Sequence, residues 1–360
     1  MNMDPLWRLY YPTWKSKPAQ PVEGYSILIW TPADLPVFTD LALETCAAQD
    51  HAHLTDVLVL PDSRDQTFCS QFQRYKDRHP DMPIRLVLPT LFQHCIAKTL
   101  NNGSHNTWFQ LMAGFEACRS KYAMLHDVDA FVFDPSLFKK HYEACASQNR
   151  ACLGVSPVWD NWYRENGYGH VCATWELMFN MDWVRQFPPQ DHHGHFGSVH
   201  GKQHQFDSML KPQCLTPPEK IQRHDVEEQF VHFNFVTGTY RRFQNSKGPF
   251  EDSGFRILFI RMLHEGFPDA AAPAGLPTLD ELEKGLTDAT HPVTYRSHEA
   301  AETYATFRSK LQDLIDNVTL SQRLRTAFAR GTKAFDKAFH WMGQAVACYY
   351  CVLEPLAPLV

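Results

Sequence analysis

The sequence predicts an α/β protein: a mixed, mostly parallel sheet with helices on both faces, plus a C-terminal helical extension. Three observations carry that prediction. Short apolar runs alternate with helix-period segments through the first half, the pattern of strand and crossover helix. The runs end on polar or proline residues, at Thr31-Pro32, Pro61-Asp62-Ser63 and His126-Asp127. From about Phe255 onward the pattern is helical, broken by a Pro/Ala/Gly-rich stretch at Pro268 to Pro277.

The elements follow in order. Tyr25 to Trp30 reads as a buried strand, and Phe38 to Gln49 as a helix with Leu41, Thr45 and Ala48 on one face. Thr55 to Leu60 and Ile84 to Leu88 are the next strands. Asn106 to Arg119 carries an apolar stripe of Phe109, Met112, Ala113 and Phe115 and so predicts a helix. Tyr122 to Leu125 is a fourth strand that runs into His126-Asp127-Val128-Asp129. Asp134-Pro135 then predicts a helix start, with Asp134 as N-cap and Pro135 in the first turn. Phe230 to Val236 reads as a late strand. A first domain over 20–245 and a mainly helical extension over 246–360 result. In such sheets ligands bind beyond the carboxyl ends of the strands, where Thr31, Asp62 and Asp127 converge.

Composition removes several classes. The chain has 360 residues, 44% of them hydrophobic, enough for a large core. A net charge of −6 excludes a protein that coats nucleic acid. No apolar stretch reaches membrane-spanning length, Trp341 to Leu353 being the longest candidate. Met1 to Pro18 does not read as a secretory signal. Ten scattered cysteines suit reduced thiols in a cytoplasmic protein, and Cys348 with Cys351 reads as core packing rather than a redox pair.

Asp127 and Asp129 stand two apart on the turn after a strand. Two carboxylates so spaced meet one hard cation, Mn2+ or Mg2+, with positions left for phosphate oxygens; the bland alternative is a solvated turn. The run Gln110-Leu111-Met112-Ala113-Gly114-Phe115-Glu116-Ala117, continued by Lys121 to Asp129, resembles the GT-A glycosyltransferase pattern of helix, strand and Asp-x-Asp. Leu60-Pro61-Asp62-Ser63-Arg64-Asp65-Gln66-Thr67 is similar to that family's segment after the second strand. The resemblance departs at Leu111-Met112, where many members have Arg-Asn, and marks a divergent branch.

The resemblance implies a GT-A fold that moves a sugar from a nucleotide-diphosphate donor to a carbohydrate or lipid-linked acceptor. It gives Thr31 and Asp62 to the nucleotide, Asp127 and Asp129 to the metal and diphosphate, and His232 to the metal as a further ligand. His232 is equally a core histidine. It gives Asp207 the role of base toward the acceptor hydroxyl, a residue that serves as well as a helix N-cap; Glu176 is a second, weaker candidate. Trp159, Trp162, Tyr163 and Tyr168, interleaved with Asp, Asn and Arg, read either as an acceptor platform or as an anchored surface loop. His192, His193, His195, His200 and His204 fit no helical zinc motif and read as a lid. In Ala305 to Leu353, Arg323, Arg325, Arg330, Lys333 and Lys337 alternate with apolar residues. That stripe packs a helix onto its own domain or touches an anionic membrane peripherally. Two rivals remain: a non-catalytic carbohydrate-binding protein on the same fold, and a nucleotidyltransferase, which would show a Gly-rich basic phosphate loop.

Overall fold

Four apolar runs of the first half become the parallel half of a seven-stranded sheet, with Ile84–Leu86 at its edge. The computed structural model describes residues 11, 14, 20–100, 102–155, 158–224, 230–233, 236–245, 254–270, 272–273, 275–282, 299–333 and 336. Two compact units are distinguished, Met1–His232 and Phe233–Val360. Cys348, Cys351, Lys337 and the Trp341 to Leu353 stretch lie outside the described residues.

In the first unit the chain runs β1 (Val22–Thr31), α1 (Val37–Ala47), β2 (Leu54–Pro61), α2 (Gln66–Arg78), β3 (Ile84–Leu86), α3 (Leu91–Leu100), α4 (Gly103–Ala117) and β4 (Ser120–His126). It continues through β5 (Ala130–Val132), α5 (Leu137–Ser147), β6 (Cys152–Gly154), α6 (Asn161–Glu165), β7 (Glu176–Asn180) and α7 (Met181–Val184). The hairpin β8 (Phe196–Val199) and β9 (Lys202–Gln205), α8 (Leu210–Cys214), β10 (Ile221–Arg223) and β11 (Phe230–His232) complete it. The sheet order is β10-β6-β7-β4-β1-β2-β3. β1, β2, β3 and β4 are mutually parallel, while β7 runs antiparallel between β4 and β6.

Both faces of the central strands are covered, as their near-continuous apolar sequence requires. Leu28, Leu58 and Leu60 share a buried cluster with Trp108, Leu111, Met112 and Phe115 of α4. The alternate residues Ile27, Ile29, Val57 and Val59 are buried as well, toward the other layer. Gly114 lets α4 lie this close: a Cβ there would stand 2.8 Å from Leu60 Cδ1.

The chain leaves β1 toward β2 and β3, then crosses back so that β4 pairs with β1 on its other side. That reversal opens a crevice between the carboxyl ends of β1 and β4, the topological switch point where open α/β sheets bind ligands. Thr31 and Asp127 flank it.

Local chemistry shifts some boundaries. The helix expected at Asp134 begins at Leu137, because Asp134 Oδ1 accepts from the Ser136 amide at 2.8 Å and its hydroxyl at 2.6 Å and closes a turn instead. The strand expected over Phe230 to Val236 is shorter, Phe230–His232, and pairs antiparallel with β5. The stretch that carries the histidines read as a lid holds a short helical turn at Pro189–His192 and the β8–β9 hairpin. His200 and Gly201, both at positive φ, form its two-residue hairpin turn.

The second unit is helical, with α9 (Val236–Asn245), α10 (Gly254–Gly266) and α11 (Glu299–Asp316). Phe259 stacks between Phe233, at 4.1 Å between ring centroids, and Phe328 at 5.9 Å. Phe307, Leu311 and Leu314 make a buried i, i+4, i+7 stripe on α11, and Leu324, Ala327 and Phe328 are buried in the following helical run. Among the described residues no helix is long and apolar enough to cross a membrane.

Candidate metal and donor site

Asp127 and Asp129 leave β4 on a tight turn at the switch point. The Ala130 amide donates to the Asp127 carbonyl at 3.1 Å, and the Asp127 amide donates to the Trp175 carbonyl at 3.0 Å. This pins the turn to the strand beside it. Asp129 is buried, Asp127 half-buried. The pairing of β11 with β5 sets His232 opposite Ala130, one residue beyond Asp129. His232 Nε2 consequently lies 3.0 Å from Asp129 Oδ1 and 3.2 Å from Asp127 Oδ2. One ligand atom from each of the three residues falls within 4.8 Å of the others. Burial alone would lower the His232 pKa, but the adjoining carboxylates of Asp129 and Asp127 outweigh it and raise it to about 9.

A divalent cation fits this donor set. Two carboxylate oxygens and an imidazole nitrogen converge on one point, and the half-buried Asp127 leaves an open side. Oxygen donors suit Mg2+ and Mn2+, and the imidazole favours Mn2+ of the two.

Beneath the turn, His126 Nδ1 and Glu176 Oε1 meet at 2.5 Å, both residues fully buried and paired in register across β4 and β7. Burial raises the Glu176 carboxyl, and the His126 ring opposes that shift. No acceptor hydroxyl reaches a carboxylate placed there, which removes Glu176 as a base.

Asp207 stands elsewhere, between β9 and α8. It is not an N-cap: α8 begins at Leu210 after Met209, whose φ of 63° is a left-handed conformation uncommon outside glycine. The Asp207 side chain is open to solvent, yet protein crowds it enough to raise its carboxyl, and the charge of Asp127 raises it further. Its Oδ1 accepts from the Ser208 amide at 2.7 Å.

The donor edge is tied differently. Asp62 Oδ1 accepts from the Ala33 amide at 3.0 Å, joining the end of β2 to the loop after β1. Thr31 is buried, its hydroxyl 2.9 Å from that of Thr39. Gln110, which the sequence reading passed over, donates from Nε2 to the Thr31 carbonyl at 3.0 Å and the Leu60 carbonyl at 2.6 Å. The one signal for it was an amide within an otherwise apolar helix stretch.

The aromatic segment splits by burial. Tyr163 and Tyr168 sit in a small core cluster with Phe206 and Leu210. Trp162 stacks on His204 at 4.0 Å and 6°, and Trp159 is 69% exposed. Asp160 caps α6 through the Trp162 amide and also approaches His204 Nε2 at 2.9 Å. Of the five histidines, His192 and His193 are buried, His192 with Nε2 3.0 Å from the Val184 carbonyl. The structure does not bring the five together: among the described residues Asp127, Asp129 and His232 are the one group of metal-ligand geometry.

No family model matches the sequence, and no curated protein matches it. Solved structures do. The chain is similar to the mannosyltransferase PcManGT from Pyrobaculum calidifontis in complex with GDP-Man and Mn2+, at 14% identity over 93% of this chain and 94% of that one, with a TM-score of 0.37. It is similar to S. aureus TarS 1-349 in complex with UDP-GlcNAc, at 11% identity over 89% and 92%, TM-score 0.37. It is also similar to glucosyl-3-phosphoglycerate synthase from Mycobacterium tuberculosis in complex with Mn2+, UDP and glucosyl-3-phosphoglycerate, at 10% identity over 61% and 76%, TM-score 0.37.

Proposed function

We propose that the protein is a divalent-metal-dependent glycosyltransferase that moves a sugar from a nucleotide-diphosphate donor to a carbohydrate hydroxyl. One observation carries the reading: the ligand atoms of Asp127, Asp129 and His232 converge within 4.8 Å, on the crevice where this sheet topology binds nucleotides.

Each residue has a stated task. Asp127 and Asp129 hold the cation by their carboxylates and His232 by Nε2, which must shed its proton first. When bound, Mn2+ or Mg2+ offsets the negative charge that gathers on the leaving diphosphate. Asp62, held at the mouth of the β1–β2 edge, receives the nucleotide base. Thr31 shapes the nucleotide edge from within, its hydroxyl engaged by Thr39 and its carbonyl by Gln110. Asp207, solvent-reached and raised in pKa, accepts the acceptor hydroxyl's proton as its oxygen attacks the anomeric carbon and the bond to the diphosphate breaks. Trp159 offers its exposed ring to the acceptor, with Trp162, stacked on His204 and Tyr168, and the buried Tyr163 and Tyr168 behind it as support.

The test is release of nucleoside diphosphate from UDP-, GDP- and dTDP-sugars, with Mn2+ and with EDTA. Metal-dependent release supports transfer chemistry. Binding of a sugar ligand without release under either condition would identify a carbohydrate-binding protein instead.

A further inference from the structure

We propose that Trp175 is the wall against which the transferred sugar lies, and so a determinant of which sugar nucleotide the site accepts. This rests on the metal and diphosphate reading above.

Trp175 directly precedes β7, whose antiparallel pairing with β4 brings it alongside the candidate ligands. Its carbonyl accepts the Asp127 amide at 3.0 Å, and its indole packs on the His232 ring with centroids 4.4 Å apart. It also runs nearly parallel to Phe230, 9° between planes at 6.5 Å. One residue thus touches two candidate ligands that come from different elements.

Other tryptophans of this unit show what a packing role looks like. Trp14, Trp108 and Trp183 are buried to 5% exposure or less, and each indole N–H has an acceptor: the Phe187 carbonyl, the Pro189 carbonyl and the Thr216 hydroxyl. Trp175 is half-buried, and its Nε1 has no hydrogen-bond acceptor among the described residues. An indole that keeps part of its face and its donor for solvent, at the edge of a cation site, has the amphipathic form that sugar recognition uses. The donor's chemistry supplies the reason. A diphosphate seated on Asp127, Asp129 and His232 ends in an ester to the anomeric carbon, so the sugar ring begins beside these residues. The apolar C–H face of a pyranose fits the indole face, and a ring hydroxyl accepts its N–H.

The experiment compares each sugar nucleotide with its bare diphosphate on the full chain. Mn2+ affinity is read by electron paramagnetic resonance, and dissociation constants are measured for UDP, UDP-glucose, GDP and GDP-mannose. Trp175→Ala is expected to weaken the sugar nucleotide about tenfold, the scale of one ring stack with a hydrogen bond, and to leave the bare diphosphate and Mn2+ within about twofold. Trp175→Phe, which keeps a ring against His232, falls between and guards against a misfolded alanine variant. Equal losses for both members of a pair, or no loss for either, overturn the proposal: Trp175 then serves the ligand cluster or nothing. A wild-type chain that binds neither Mn2+ nor any of the four nucleotides overturns the glycosyltransferase reading itself, a failure visible before any variant is made.

Discussion

Two buried acidic sites in the first unit are built in opposite ways. Asp40, on α1, has a side chain 1% exposed and is met by two guanidinium groups from α2, Arg74 at 2.8 Å and Arg78. Asp129, 7% exposed at the side chain, faces His232 at 3.0 Å and shares that imidazole with a second carboxylate, Asp127. The first site carries its own counter-charges and joins helix to helix. The second gathers two like charges around one imidazole, an arrangement that a dication completes. Charge matched within the protein serves the fold; charge left for a ligand serves function.

Substitution should separate the two. Asp127→Ala and Asp129→Ala are each expected to lower metal-dependent donor cleavage by roughly 10²–10³-fold, the scale of losing a principal electrostatic contact in a reacting site. In metal-free protein Asp127→Ala is expected to change the melting temperature little, because His232 keeps Asp129 as its partner, whereas Asp129→Ala lowers it modestly by removing the nearer carboxylate from a buried imidazole. A large fall in melting temperature with cleavage intact would reverse the assignment. Asp40→Ala is expected to do the contrary, costing about 3 kcal/mol in denaturant unfolding by stranding two guanidiniums, with Mn2+ affinity unchanged.

Gln110 stands between the two kinds. Gln110→Leu leaves the carbonyls of Thr31 and Leu60 without their amide, and a stability loss of about 1–3 kcal/mol is expected by urea unfolding. If nucleotide affinity also falls, the strand-end tie shapes the donor edge; if stability holds, the carbonyls are satisfied by other means.

Acid should find the buried histidines before the matched carboxylates. Burial lowers His192 to about 4, and burial with the nearby His224 lowers His141 to about 3. Both rings are therefore neutral in the fold, while the unfolded chain takes up their protons below about 6.5. Stability is full above that value and falls as pH drops toward 4, by about 1 kcal/mol per pH unit for each group. His192→Phe, in a cage of Trp14, Phe115 and Phe187, should flatten that slope by one proton in a pH series of urea midpoints. The smallest effect belongs to Trp159→Ala at an exposed site, within about 0.5 kcal/mol of wild type. A loss of saccharide acceptor binding in this stable variant would sharpen the platform reading, and unchanged binding would remove Trp159 from it.

Much of the candidate site could be named from the sequence because it is local. Asp127 and Asp129 are fixed by a strand end and a turn, and Asp62 by another. Three placements were not local. Trp175 and Glu176 reach the site only through an antiparallel strand inserted beside β4, and no local pattern announces register between strands 50 residues apart. Asp207 had the sequence of an N-cap, but the left-handed Met209 delays the helix, and the carboxylate accepts from the Ser208 amide instead. Asp134 had the sequence of an N-cap too, and the Ser136 hydroxyl and amide claimed it for a turn.

The sequence by itself determined the alternation of buried strands and helices, and with it a parallel sheet whose carboxyl edge bears Thr31, Asp62 and Asp127. It did so because apolar periodicity and turn residues act within a few positions of one another. Only the tertiary structure decided which distant groups share that edge. His232, 103 residues from Asp129, comes within 3.0 Å of it through the pairing of β11 with β5, while Glu176 is buried against His126. The physical reason is the same in both cases: strand pairing sets the distance between side chains, and burial sets the charge they can carry.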